Sequence, residues 1–157
     1  MKLTILFTGK TNFDFIEKGV TMYADRIKRY TAFDLKYTKD IKTGKNIPVN
    51  VYKNKETEQI LKYIKANDTL VLLDEKGKMF SSLNFAEFLN HKIEIATKHL
   101  IFLIGGAYGF SDEIYARADE KISLSKMTFS HQPVRLLFAE QLYRAYTIIK
   151  GEPYHNE

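Results

Sequence analysis

The sequence predicts an α/β fold, a mostly parallel sheet with helices on both faces. Strand-like and helix-like segments alternate along the whole chain. The runs TLVLL (residues 69–73) and LIFLI (residues 100–104) are apolar throughout, without the polar alternation of a sheet that has one wet face. There is no repeat, low-complexity tract or linker, so residues 1–157 read as a single domain long enough for a real core.

Residues 2–8 (KLTILFT) read as the first strand. Ile16, Val20, Tyr23, Ile27 and Tyr30 follow at steps of four, three, four and three, one face of an amphipathic helix over about residues 14–30. Residues 33–38 (FDLKYT) alternate as a half-buried strand. Residues 40–50 (DIKTGKNIPVN) are basic, hold Gly44 and Pro48, and read as a loop. Helical spacing resumes over residues 55–65 through Ile60, Leu61 and Ile64. TLVLL is then a buried strand that ends in a turn at DEKGK. Asn84 is placed to cap a helix over about residues 85–98, with Glu87 as its capping-box partner. LIFLI is the next buried strand. Ser111 suits the N-cap of a short helix, with Asp112 and Glu113 at its positive end. Residues 121–124 form a short strand. Pro133 fits the first turn of a last helix, which Gly151 and Pro153 stop. On that helix Val134, Leu137, Phe138, Leu142, Ala145 and Ile149 make the core stripe, and Arg135, Glu140, Arg144 and Tyr146 lie largely off it.

The chain has no cysteine, which excludes disulfides and cysteine-held zinc or iron–sulfur sites and fits a cytoplasmic location. It offers no cluster of metal ligands, so no metal is expected. No stretch approaches the ~20 apolar residues that span a bilayer, and the first residues lack a cleavable-leader pattern, so no membrane partner is expected. The net charge of +5 sits in the first third, where residues 1–50 carry ten Lys and Arg against five Asp and Glu. Such a face is either merely solvated or meets a polyanion such as RNA.

The stretch IGGAYGFSDE, after LIFLI, holds three of the eight glycines. Its G-G-x-x-G spacing fits neither the dinucleotide fingerprint nor the phosphate-binding P-loop. The glycines serve either a turn alone or a ligand. Ligands of open α/β sheets bind beyond the carboxyl ends of strands. Three such ends have unusual sequence: Leu73-Asp74, Gly105-Gly106, and the run Leu124, Ser125, Lys126, Met127, Thr128 and Phe129. If their strands are neighbours, these loops share one edge. The glycine loop has no Lys or Arg, which suits a neutral or cationic nucleoside-like ligand better than a pyrophosphate.

IGGAYGFSDE, SLSKMTFSHQPVRLLFAEQLYRAY and GEPYHNE, with the opening KLTILFTGK and the LLDEKGK turn, resemble the ribosomal RNA large-subunit methyltransferase H family. The resemblance covers essentially the whole chain. It implies a homodimeric fold of the SPOUT superfamily, with a trefoil knot in the C-terminal part. It implies S-adenosylmethionine (S-adenosyl-L-methionine) as methyl donor and N3 of a pseudouridine in 23S rRNA of the assembled ribosome as acceptor. The donor site would fall on Leu73, Gly105, Leu124, Ser125, Lys126, Met127, Thr128 and Phe129, and the catalytic residues on Arg144, Tyr154 and His155. Ser130 stands where many relatives have proline before the histidine.

An N3–H must lose its proton before it attacks, and histidine is the side chain that titrates nearest neutral pH. His155 is thus the first candidate base and His131 the second. Tyr154 would stack on or bond the base. Arg144 would hold a phosphate or the developing anion. The tail, polar and near a terminus, is expected to be mobile without substrate. A tRNA base as acceptor and a non-enzymatic nucleotide- or RNA-binding module are the alternatives.

Overall fold

A computed structural model describes residues 1–156; Glu157, which ends the GEPYHNE segment, lies outside them. The elements run β1 (Lys2–Phe7), α1 (Asp14–Ile27), β2 (Ala32–Tyr37), α2 (Val49–Leu61), β3 (Thr69–Met79), α3 (Ser82–Glu94), β4 (His99–Ile104), α4 (Asp112–Arg117), β5 (Glu120–Ser123) and α5 (Pro133–Ile149). Among the described residues the strands form one sheet in the order β2-β1-β4-β3-β5, and every pairing is parallel.

Burial on both faces explains the unbroken apolar runs. Leu3, Ile5, Phe7, Val71, Leu100, Phe102 and Ile104 turn to one face, against Ile16 and Val20 of α1, Phe85 and Leu89 of α3, and Phe138 and Leu142 of α5. Leu6, Leu70, Leu72, Ile101 and Leu103 turn to the other, against Ile60 of α2, Ile114 of α4 and Phe110. Side chains still alternate along each strand, but both alternating sets are buried.

Several boundaries differ from the sequence reading. Helix α2 starts at Val49, inside the expected loop, with Pro48 in extended backbone at its N-cap, and it stops at Leu61. Helix α3 is capped by Ser81, whose hydroxyl accepts from the Asn84 N–H, and not by Asn84; it ends at Glu94. Ser111 does cap α4 by accepting from the Ile114 N–H. Gly151 takes a left-handed φ of 68° after α5, as a glycine stop should.

The DEKGK segment is no simple turn. Strand β3 runs on through it, and both Leu73 and Lys78 pair with Ile122 of β5, so the residues between them bulge. Gly77 closes the bulge: a Cβ there would lie 2.5 Å from the Ile122 carbonyl carbon. Only glycine lets the two backbones approach this closely.

The largest departure is on α5. Arg135, expected off the core stripe, is fully buried, while Leu137 on the expected stripe is exposed. Tyr146 is buried too. The Arg135 guanidinium stands 4.7 Å from the centre of the Phe7 ring. It donates to the carbonyls of Thr8 (2.7 Å) and Gly9 (3.0 Å) and to the Thr11 hydroxyl (3.0 Å). These acceptors sit in the segment that leaves β1, so one side chain ties that segment to the start of α5. Gln132 adds to the tie: its side-chain carbonyl accepts from the Asn12 N–H (2.8 Å) and its amide donates to the Lys10 carbonyl (3.3 Å).

Replacing Arg135 by Met leaves buried carbonyls unpaired and is expected to lower stability by about 3 kcal/mol in chemical denaturation. Gly77→Ala forces β3 away from β5 and is expected to cost about 2 kcal/mol in the same measurement.

Candidate active site

The parallel register brings the strand ends to one edge. Phe7 and Leu73 both lie level with Ile104, and Leu73 lies level with Ile122. The three strands named from sequence are neighbours, β4-β3-β5. A cavity of about 590 Å³ opens at this edge. Of the eight residues expected at the donor site, Leu73, Gly105, Leu124, Ser125, Met127, Thr128 and Phe129 line it, and Lys126 does not. Asp74, Glu75 and Lys76 from the β3 bulge, Tyr108 from the glycine loop, Tyr115 of α4 and His131 also line it.

The wall after β5 is shaped by its own short hydrogen bonds. The Ser123 hydroxyl donates to the Ser125 carbonyl (2.8 Å), and the Met127 N–H donates to the Ser125 hydroxyl (3.0 Å). Across the mouth, the Thr128 hydroxyl donates to Glu75 (3.1 Å), and the Tyr115 hydroxyl donates to Asp74. Burial, aided by Asp74, pushes the Tyr115 phenol up to about 12, so it stays a donor. Burial, then the Arg135 charge, holds His131 below the ordinary histidine range, so it faces the cavity uncharged at neutral pH.

Each glycine of the loop has its own reason. A Cβ on Gly105 would meet the Phe110 ring at 2.9 Å, and one on Gly106 would lie 3.1 Å from Glu56 Oε2. Gly109 has a φ of 72°, in the left-handed region that favours glycine. Glu56, on α2, is only 6% exposed. Burial pushes its carboxyl up to about 7, with Lys53 and a hydrogen bond from Tyr52 only partly opposing the shift.

Arg144, Tyr154 and His155 come together elsewhere, around Glu140. Arg144 donates to Glu140 Oε1 through Nη2 (2.7 Å) and Nε (3.1 Å), and through Nη1 to His155 Nδ1 (3.2 Å). The Tyr154 hydroxyl donates to the same carboxylate oxygen (3.1 Å). The Tyr154 ring lies 4.8 Å from the guanidinium and packs edge-on against Tyr143 at 4.7 Å. Glu140 raises the Arg144 pKa, so the guanidinium stays charged. Burial, then the bonds with Tyr23 and Glu140, raises the Tyr154 phenol. A guanidinium only donates, so His155 Nδ1 is the unprotonated ring nitrogen here. The tail, expected to be mobile, is tied down: Glu152 accepts from the Tyr30 hydroxyl (2.6 Å), and Tyr154 packs on α5.

None of the three tail-cluster residues lines the cavity. Val134 lines the cavity and Arg144 follows it by ten residues on one helix, about 15 Å along the axis. Sequence reasoning passed over two carboxylates. Glu140 had a signal, its i,i+4 spacing to Arg144. So did Glu56, four residues from both Tyr52 and the buried Ile60, which puts it on the inward face of α2. Among the described residues no group of His, Asp or Glu is arranged to hold a metal ion, and no helix is long and apolar enough to cross a membrane.

Residues 1–155 match the family model described as "Predicted SPOUT methyltransferase". Three relatives share the name "Ribosomal RNA large subunit methyltransferase H". The protein from Christiangramia forsetii is 51% identical over 156 residues, covering 99% of both chains. That from Parabacteroides distasonis is 48% identical over 157 residues, covering 100% of both. That from Geotalea daltonii is 47% identical over 156 residues, covering 99% of this chain and 100% of its own. A parallel sheet with its glycine loop at the carboxyl edge, and similarity along nearly the whole length, make this chain a member of the SPOUT methyltransferase family, alongside the relatives that carry the large-subunit methyltransferase H name.

Proposed function

We propose that the chain transfers a methyl group from S-adenosylmethionine to N3 of a pseudouridine in 23S rRNA, on the assembled ribosome in the cytoplasm. The observation that carries this is the cavity at the three strand ends, in a chain similar over its full length to proteins named as large-subunit rRNA methyltransferases. The cavity suits the donor. Leu73, Leu124, Met127 and Phe129 offer apolar walls to an adenosyl group, and Gly105 brings bare backbone to it. Asp74 and Glu75 offer negative charge to a sulfonium and an ammonium, with Lys76 placed to meet a carboxylate. Lys126, exposed and off the cavity lining, is free to meet an RNA phosphate. When bound, the donor supplies an electrophilic methyl group, and the rest falls to the protein.

The tail cluster supplies the groups an N3–H acceptor needs. Arg144, kept cationic by Glu140, is suited to the negative charge that grows as N3 loses its proton. Tyr154, kept protonated, is a hydrogen-bond donor and stacking surface for the base. His155 takes the proton at Nδ1 once the substrate draws Arg144 toward itself and uncovers that lone pair. Because the cluster and the cavity of one chain stand apart, the tail of one protomer of a homodimer serves the cavity of its partner. The knotted C-terminal course expected of such enzymes belongs to the same proposal; the crossing of α5 from the cavity edge back over α1 and α3 is compatible with it. The basic residues of the first third, Lys10, Lys18, Arg26, Lys28 and Arg29 among them, would grip rRNA phosphates and make binding salt-sensitive.

With tritiated donor, ribosomes are expected to accept label and tRNA to accept none; labelled tRNA with unlabelled ribosomes would overturn the acceptor assignment. His155→Ala is expected to lower kcat by about 10²-fold with donor affinity unchanged in calorimetry, and wild-type turnover would remove the base role. Co-expression of His155→Ala with a cavity-filling Leu124→Trp chain is expected to raise turnover well above that of either variant alone. No such rise would show that each protomer works with its own tail.

A further inference from the structure

We propose that Glu56 makes the cavity prefer a cationic sulfonium over the neutral thioether that methyl transfer leaves behind, through a carboxylate set directly behind the glycine loop. This part for Glu56 rests on the reading of the cavity as the donor site. Gly106 lines the cavity, and the point where its Cβ would stand is 3.1 Å from Glu56 Oε2. Gly106 has no side chain, so the carboxyl packs directly against the backbone of a residue that lines the cavity. Glu56 itself does not line the cavity and is 6% exposed, so water screens its charge little.

Few groups answer that charge. Tyr52 and Lys53 face it from its own helix. Tyr108 of the glycine loop packs edge-on against Tyr52 at 5.3 Å, and Asp40, from the segment before α2, adds negative charge near Tyr52. Thr57 and Ser111, which bond each other at 2.6 Å beside it, are uncharged. With its carboxyl pushed up to about 7, Glu56 is partly protonated at neutral pH. A cation in the cavity favours the ionised form, so its binding drives the Glu56 proton into the buffer. Loss of the methyl group turns the sulfonium into a neutral thioether, the reason for ionisation goes, and a proton returns to Glu56. The charge thus holds the donor and loosens the product. His131 also faces the cavity and would repel a cation when protonated; burial, then the Arg135 charge, holds it below the ordinary histidine range and favours its uncharged form.

The test is calorimetry of the full-length protein with S-adenosylmethionine and, separately, S-adenosylhomocysteine at pH 7, in two buffers of different ionisation enthalpy. The expected result is proton release with S-adenosylmethionine and none with S-adenosylhomocysteine. Donor affinity should rise about two- to threefold between pH 6.5 and 8, the part of a half-unit to one-unit coupling that a carboxyl titrating near 7 shows over this range, while product affinity stays flat. Glu56→Gln should abolish both the proton release and the pH dependence, and should narrow the donor-to-product affinity ratio by a similar factor. Equal proton release with both compounds, or a wild-type ratio in a folded Glu56→Gln protein, would overturn the assignment to Glu56 alone. Heat from neither compound would overturn it together with the donor-site reading. If the variant does not fold, equal proton release with both compounds in the wild type still overturns the assignment.

Discussion

The buried guanidinium of Arg135 is the contact on which the working edge of the sheet depends. Burying a cation costs free energy unless its donors are met. Here the carbonyls of Thr8 and Gly9 and the Thr11 hydroxyl accept from Nη1 and Nη2, the face of Phe7 covers the plane, and Nε has no hydrogen-bond partner among the described residues. Among the described residues no carboxylate bonds to it, so the site stays compatible with an uncharged His131 next door. The segment leaving β1 and the start of α5 are thereby fixed to each other at the mouth of the cavity. The loop that carries Leu124 to Phe129 ends at that junction, so its shape inherits the same constraint.

Around this edge, charge is distributed by distance from water. Asp74 and Glu75 lie at the cavity mouth, each bonded to a hydroxyl. Glu56 sits behind the loop with little to answer it. Glu140 lies midway along α5 and is engaged at one oxygen by Arg144 and Tyr154 and at the other by Gln141. Three acidic environments in one small domain give three behaviours: a polar rim, a proton-exchanging wall, and a fixed counter-ion that keeps an arginine charged and a tyrosine protonated. The composition alone, with its overall basic balance, does not hint at this division.

Much of the architecture was legible in the sequence because burial on both faces leaves a plain signature. TLVLL and LIFLI could be read as interior strands, and the convergence of residues 73, 105 and 124–129 followed from their being neighbours. The misreadings each have a local cause. DEKGK carries turn chemistry, but Gly77 is there to let β3 pass against β5. Asn84 is a good cap in isolation, yet the helix already starts at Ser82 and Ser81 caps it through the Asn84 N–H. Arg135 looked like a solvated residue because helical spacing reports which face a side chain occupies, while its true environment is set by carbonyls more than 120 residues away. Tyr154 and His155 could be named from resemblance, but their distance from the cavity of the same chain could only come from the fold.

The order of the strands also bears on how the molecule is made. β1 is interior to the sheet, yet its partner β4 is synthesised some 95 residues later, as the Thr4–His99 bond records. Until β4 arrives, β1 and β2 form at most a two-stranded ribbon with an open edge and two uncovered apolar faces. The buried arginine that locks the end of β1 comes later still, 127 residues after Thr8. The nascent chain therefore carries its most adhesive strand unprotected for most of translation, and its fold closes only when the last helix has emerged. An enzyme proposed to work on finished ribosomes thus depends unusually on the ribosome finishing it first.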